Sequence, residues 1–126
     1  MVKLLSVLIM AMLLSLGAVS QDKKLNYTYN VCDVYNIDTV RNTAEYARTI
    51  TNGGSITFSN MDKLPLIIVD YEVYNIVDAI RQDGTILFKT TQFDKEYPIM
   101  IELSNYSLRI NLDNTIFVYK PLKNNN

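Results

Sequence analysis

Apolar and polar side chains alternate with a period of two along most of the chain after residue 20. Clear examples are residues 55–59, 86–89, 99–104 and 106–113. This period predicts short strands, each with one buried face. The spacing from Thr85 onward is typical of a C-terminal β-meander.

Residues that tolerate positive φ separate these segments, as tight hairpin turns require. They are Asn52-Gly53-Gly54, Asp83-Gly84, Ser104-Asn105 and Asp113-Asn114. Many short strands joined by tight turns predict a mainly β protein, a small antiparallel barrel or sandwich. We expect one β-rich domain over residues 21–121 and a flexible tail over residues 122–126.

Two segments also fit helical spacing, residues 38–51 and 72–82. The strand interpretation pairs residues 46–51 with 55–59 across Asn52-Gly53, and it places Tyr74, Ile76 and Ile80 on one face. It is favoured in both segments by the turn residues that follow them. If both were helices, the fold would be α+β.

The first twenty residues have the three parts of a secretory signal peptide. Lys3 provides the positive start, residues 4–16 are almost entirely apolar, and small residues precede Gln21. The apolar run is shorter than the roughly 17–25 residues of a membrane-spanning helix. We therefore expect cleavage after Ser20 and a secreted or otherwise extracytoplasmic protein, in the periplasm or at the cell surface if the source is bacterial.

The composition of the chain excludes several kinds of function. The 126 residues are 48% hydrophobic and 20% charged, and 12 Lys and Arg against 13 Asp and Glu give a net charge of −1. No basic field is available for nucleic acid. The lack of His excludes Ser-His-Asp catalysis and His-ligated zinc. With no long apolar run after residue 20, we expect no membrane insertion after cleavage, and we predict no catalytic, metal or cofactor site.

Two sequons, Asn26-Tyr27-Thr28 and Asn105-Tyr106-Ser107, are candidate N-glycosylation sites. Asn26 falls on the polar face of a predicted strand and Asn105 falls in a predicted turn. Both should therefore be accessible.

Cys32 is the sole cysteine. Strand parity places it on the outer face with Asn30, so an intermolecular disulfide and a homodimer are candidates. The plainer interpretation is an unpaired thiol with no function.

Other side chains suggest weaker hypotheses. Asp70 and Glu72 would share one strand face, and Asp78 would extend the row. Such a row of carboxylates could perform acid–base chemistry or bind a hard cation, but charged residues are also usual on a solvent-exposed strand face. Phe117 and Tyr119 on the last strand are a candidate contact surface, since exposed aromatic rings favour recognition.

The favoured function is a non-enzymatic module that binds an extracellular protein or glycan. A lipocalin-like carrier of a small apolar ligand is an alternative, although bulky inward side chains argue against an empty interior. The other alternative is an extracellular enzyme that uses the carboxylates.

Overall fold

The computed structural model describes residues 24–60 and 64–121, and the predicted signal peptide and C-terminal tail lie outside these ranges. These described residues form nine strands. They are β1 (Lys24–Asp38), β2 (Thr43–Ile50), β3 (Gly54–Ser59), β4 (Leu66–Val69), β5 (Glu72–Gln82), β6 (Thr85–Gln92), β7 (Lys95–Glu102), β8 (Leu108–Leu112) and β9 (Thr115–Pro121). The described ranges contain no helix of the length and apolar character needed to cross a membrane.

The strands form one antiparallel sheet that closes on itself. Its order is β2-β1-β3-β4-β5-β6-β7-β8-β9, and a further pairing of β1 with β9 completes a barrel of eight strands with β2 as an extra strand. The predicted antiparallel barrel is therefore confirmed, and the α+β alternative is wrong. Residues 43–50 and 72–82 are strands in the structure.

Strand β1 organises the closure because it pairs with three other strands. Its first part, residues 24–29, pairs with β3. Its later part pairs with β9 on one edge and with β2 on the other. The predicted hairpin between residues 46–51 and 55–59 is wrong, since β2 and β3 lie one after the other along the same edge of β1. Gly53, at φ 72°, makes the passage between them.

The barrel interior is filled with aliphatic and aromatic side chains. The largest that are fully buried are Phe58, Phe88, Ile56, Ile67, Ile86, Ile99, Ile101, Leu108, Ile110 and Val34. They come from alternate positions on six strands, which is how a pleated wall supplies a core. Burying an aliphatic or Phe side chain of this kind stabilises the fold by roughly 1.5–3 kcal/mol.

β-Bulges in β1 and β5 reverse the inward and outward parity along each of these strands. In β1 the register against β9 shifts between Tyr29 and Val31, and in β5 the register against β6 shifts between Ile76 and Asp78. The predicted outward orientation of Cys32 is consequently wrong, because the side chain is 1% exposed and lies in the core. Ile80 likewise does not share the inner face of Tyr74 and Ile76, and it is 50% exposed.

Candidate functional site at the turn end of the barrel

Because neighbouring strands run in opposite directions, alternate turns lie at the same end of the barrel. The turns β4–β5, β6–β7 and β8–β9 lie at one end, which we call the turn end. Their central residues include Asp70-Tyr71, Phe93-Asp94 and Asp113, all with positive φ. Two features of this end are candidates for function.

The first feature is a pair of exposed aromatic side chains, Tyr71 and Phe93, which we call the turn tips. Tyr71 is 97% exposed and Phe93 is 89% exposed. Their φ angles are 75° and 51°. Bulky residues rarely adopt this left-handed conformation, and such strain is concentrated at functional positions. Positive φ at both central residues is what these two-residue hairpin turns require, and a turn of that length leaves the rings exposed.

The Gln92 side chain joins the two turns that carry the tips. Its amide nitrogen donates a hydrogen bond to Glu72 Oε2 at 2.9 Å and another to the carbonyl oxygen of Val73 at 3.2 Å. The start of β5 is thereby tied to the end of β6. This link limits the relative movement of the two tips.

The second feature is a surface cavity of about 250 Å³, which we call the mouth cleft. It opens where β2 ends and β3 begins. Its lining residues are Tyr29, Cys32, Ile50, Asn52, Gly53, Asp70, Phe117 and Tyr119. The ring centroids of Tyr29 and Tyr119 are 4.8 Å apart with an edge-to-face angle of 67°. The rings of Phe117 and Tyr119 are nearly parallel, with centroids 6.3 Å apart.

A hydrogen-bonded group holds one wall of the mouth cleft. The Tyr29 hydroxyl donates to Asp70 Oδ2, and the Ser55 backbone N–H donates to Asp70 Oδ1 at 3.0 Å. Gly54 makes this arrangement sterically feasible, since a Cβ on it would collide with the Asp70 carboxylate and lie 2.6 Å from the Tyr29 hydroxyl. Burial, followed by the hydrogen bond to Asp70, raises the pKa of Tyr29, so its hydroxyl stays protonated and donates.

Cys32 lies at the inner side of the mouth cleft. Burial, with a smaller contribution from the neighbouring Asp33 carboxylate, raises the pKa of the thiol to about 11. At neutral pH the thiol is protonated and is a poor nucleophile. A side chain that is 1% exposed also cannot meet a second thiol while the barrel is closed. The burial of Cys32 therefore does not favour the predicted intermolecular disulfide or the homodimer through it.

The opposite face of β1 carries an ion pair that ties three strands together. Asp33 accepts a hydrogen bond from Thr49 Oγ1 of β2 at 2.6 Å, and its other oxygen lies 2.6 Å from Lys120 Nζ of β9. These two contacts hold the pKa of Asp33 below its usual range, with Lys120 the larger cause. The group lies across the β1–β9 seam that closes the barrel.

The predicted carboxylate row is not formed. Asp70 lies in the β4–β5 turn and binds Tyr29 and Ser55, whereas Glu72 receives a hydrogen bond from Gln92. Asp78 accepts a hydrogen bond from the backbone N–H of Ala79 at 2.9 Å. Within residues 24–60 and 64–121, no three acidic, Cys or His side chains come together as a metal would require. The carboxylates therefore have separate local partners.

The structure places Phe117 and Tyr119 differently from their predicted role. They are cross-strand partners of Ile110 and Leu108, which are fully buried, so both rings face the interior side of the wall. Both are half-buried and line the mouth cleft. That they form a contact surface stays a prediction, and the same two rings form part of a candidate site.

Both sequon asparagines are exposed, as their predicted positions require. The Asn26 side chain accepts a hydrogen bond from the Thr57 hydroxyl, and Asn105 accepts one from the Ser107 backbone N–H at 3.0 Å. Whether glycans are attached stays a prediction.

The turn tips were missed because neither turn contains glycine or an Asn-Gly pair. The available signal was the position of Asp70-Tyr71 and Phe93-Asp94 between predicted strands, where an Asp that tolerates positive φ stands beside an aromatic residue. An aromatic side chain in such a short turn has no core to enter.

A comparison of this chain with known protein families, with curated proteins and with solved structures finds no match. The residues of the site therefore carry any inference about function.

Proposed function

We propose that the chain is an exported, non-enzymatic binding module that recognises a protein partner through the turn end of its barrel. The observation that supports this most is the near-complete exposure of Tyr71 and Phe93 on backbone held in a left-handed conformation. Tyr and Phe are enriched at the centres of protein interfaces, where they fill pockets of the partner. The Gln92 hydrogen bonds tie the start of β5 to the end of β6, so the backbone that carries the two rings has less freedom to lose on binding.

The charges around the tips favour a basic partner. Asp70, Glu72 and Asp94 lie in or beside the two turns, and Lys95 is the adjoining basic residue. Such an acidic rim steers association and makes it depend on salt. The partner should therefore present apolar pockets with Lys or Arg around them.

The two alternatives have less support. The fully buried side chains fill the barrel interior, which leaves little room for a carried apolar ligand. Asp70, Glu72 and Asp78 have separate partners, so they do not form an acid–base pair.

The binding test compares two double variants. In Tyr71→Ser/Phe93→Ser both tips are removed, and in the control, Ile80→Ser/Leu87→Ser, two exposed side chains of the barrel wall are changed. Each immobilised protein is incubated with the extracellular protein fraction of its source, and retained proteins are identified and then titrated in purified form. We expect loss of the tips to weaken binding by at least about tenfold, roughly 1.4 kcal/mol, and the control to leave it unchanged.

Equal loss in both variants, or retention of affinity without the tips, would contradict the proposal. Affinity that does not fall with added salt would contradict the acidic rim. If the wild-type chain instead binds an array of neutral glycans and the tip variant does not, the partner class is a glycan and the protein-partner proposal is wrong.

Export is tested separately by the intact mass of the secreted protein. We expect a chain that starts at Gln21, with added hexose-containing mass only if Asn26 or Asn105 is modified. A product that keeps Met1 and stays inside the cell would contradict export.

A further inference from the structure

The mouth cleft has the chemistry of a cation site. Tyr71 and Phe93 are absent from its lining, so this inference does not depend on the proposed partner, although Asp70 belongs both to the lining and to the acidic rim of the tips. Asp70 supplies the acidic group of the lining, and the lining contains no Lys, Arg or His. The nearest basic residue in the last strand, Lys120, is held on the other face of the wall by Asp33 at 2.6 Å.

The other ionisable groups of the lining stay neutral. Burial raises the pKa of Tyr29 and of Tyr119, and it raises the pKa of Cys32 to about 11. The carboxylate of Asp70 therefore gives the lining its charge, which is negative.

Three aromatic rings line the cleft together with Asp70. Tyr29 and Tyr119 meet edge to face at 4.8 Å, and Phe117 lies nearly parallel to Tyr119 at 6.3 Å. Aromatic faces attract a desolvated cation, and cages of such rings recognise quaternary ammonium groups. Non-parallel rings can approach a roughly spherical group from more than one side.

The hydrogen bonding of the cleft distinguishes between kinds of cation. The Asp70 carboxylate already accepts hydrogen bonds from Tyr29 and Ser55, and the Tyr29 hydroxyl is used as a donor. A primary ammonium is strongly hydrated and needs several acceptors when it leaves water. A trimethylammonium group has no N–H, so it needs only the negative charge and the rings. The volume of about 250 Å³ is below the roughly 300–1,000 Å³ of sites for drug-sized ligands, and it suits a small head group.

We propose that the mouth cleft binds a small quaternary ammonium group, held by Tyr29, Phe117 and Tyr119 and neutralised by Asp70. Free choline and the phosphocholine head group of a lipid share this chemistry.

The test is a titration of the ¹⁵N-labelled chain with choline, followed by amide chemical shifts. The matched probe is 3,3-dimethylbutan-1-ol, in which carbon replaces the charged nitrogen at the same shape. We expect choline to shift the amides of Gly53 and Tyr119. We also expect it to bind about tenfold more tightly than the neutral alcohol, because a cation–π contribution of about 1.4 kcal/mol corresponds to that ratio of affinities. Phosphocholine is titrated in parallel, and tighter binding than choline would identify the head group as the source.

Variants localise the effect. Tyr119→Leu removes the ring that contacts both of the others, and Asp70→Asn removes the charge while Asn tolerates its φ of 48°. Each should weaken choline binding by about tenfold. The control is Tyr46→Leu, since Tyr46 is 60% exposed and pairs with Tyr35 outside the cleft. The unliganded spectrum of each variant reports whether it is folded.

Equal affinity for choline and its neutral isostere would overturn the proposal, because the cleft would then be only an apolar pocket. Shifts that map outside the cleft, equal weakening by Tyr46→Leu, or no shift at millimolar choline would also overturn it.

Discussion

At the scale of single residues, Gly54 is required by space and not by backbone conformation. A Cβ at this position would collide with Asp70 and lie 2.6 Å from the Tyr29 hydroxyl. We expect Gly54→Ala to lower the free energy of unfolding by about 1–3 kcal/mol, the usual cost of overpacking. Chemical denaturation measures this.

Measuring Gly54→Ala in the Tyr29→Phe variant as well distinguishes a steric cause of that loss from a conformational one. Tyr29→Phe removes one of the two colliding groups, so Gly54→Ala should cost less in Tyr29→Phe than in the wild type. Gly84→Ala is the conformational control, because no atom lies within 4 Å of its added Cβ but its φ is 87°. Equal costs of Gly54→Ala in both backgrounds would contradict the steric explanation.

Cys32 shows how a single bulge changes a residue's chemistry. Because the thiol is buried and its pKa is raised to about 11, we expect negligible reaction with a thiol reagent at pH 7.5 in the native protein and full reaction after denaturation. Native reactivity should increase only as the pH approaches 11. Rapid labelling of the folded protein, or a dimer that disappears on reduction, would contradict this placement.

At the scale of elements, the β1–β9 seam depends on the Asp33 group. The folded pKa of Asp33 is lowered, so its contribution to stability is present above the ordinary Asp pKa and is lost as the pH falls through the lower folded value. Because Lys120 is half-exposed, we expect Asp33→Asn to cost only about 1 kcal/mol at pH 7.

Urea denaturation from pH 7 to pH 2 tests the direction of this pH dependence of stability. The wild type should lose more stability on acidification than Asp33→Asn, since the variant has no charge left to neutralise. Asp94→Asn is the control, because it removes an exposed carboxylate from a turn and Asn tolerates the φ of 64° there. Parallel acid curves for the wild type and Asp33→Asn would argue against a role for the seam.

The strands could be predicted from the sequence, but their connections and bulges could not. A period of two identifies which side chains alternate, and it correctly assigned Leu108 and Ile110 to one face. It cannot count the extra residue of a bulge, so the faces assigned beyond Tyr29 and Ile76 were reversed. The Asn52-Gly53 turn predicts a hairpin between its flanking segments. In the folded sheet, β1 is long enough to pair with both β2 and β3, and it takes the place of that hairpin. The local sequence does not show this competing partner.

The candidate site was only partly predictable for the same reason. The sequence pattern indicates Asp70, Phe117 and Tyr119, but for carboxylate chemistry and for a contact surface. Their meeting with Tyr29 depends on barrel closure, which joins β1 to β9. No local spacing encodes that contact.

At the scale of the whole molecule, closure leaves β2 as the strand with an unpaired edge in the described barrel. It pairs with β1 alone, and the register places Ala47 as an extra residue between Tyr46 and Arg48. Bulges and charged side chains such as Glu45 and Arg48 discourage another chain from adding to an edge.

The filled interior gives the last prediction. Phe88 is 1% exposed and its ring centroid lies 5.8 Å from that of Phe58. Phe88→Ala should lower the free energy of unfolding by about 3–5 kcal/mol and leave an apolar void. Such voids take up small apolar molecules, so we expect the variant, if still folded, to bind benzene while the wild type does not. Leu87→Ala, an outward neighbour, should change neither stability nor binding appreciably. Stoichiometric uptake of an apolar ligand by the wild type would instead mean that the interior opens, and the carrier alternative would then explain the barrel better than a binding module does.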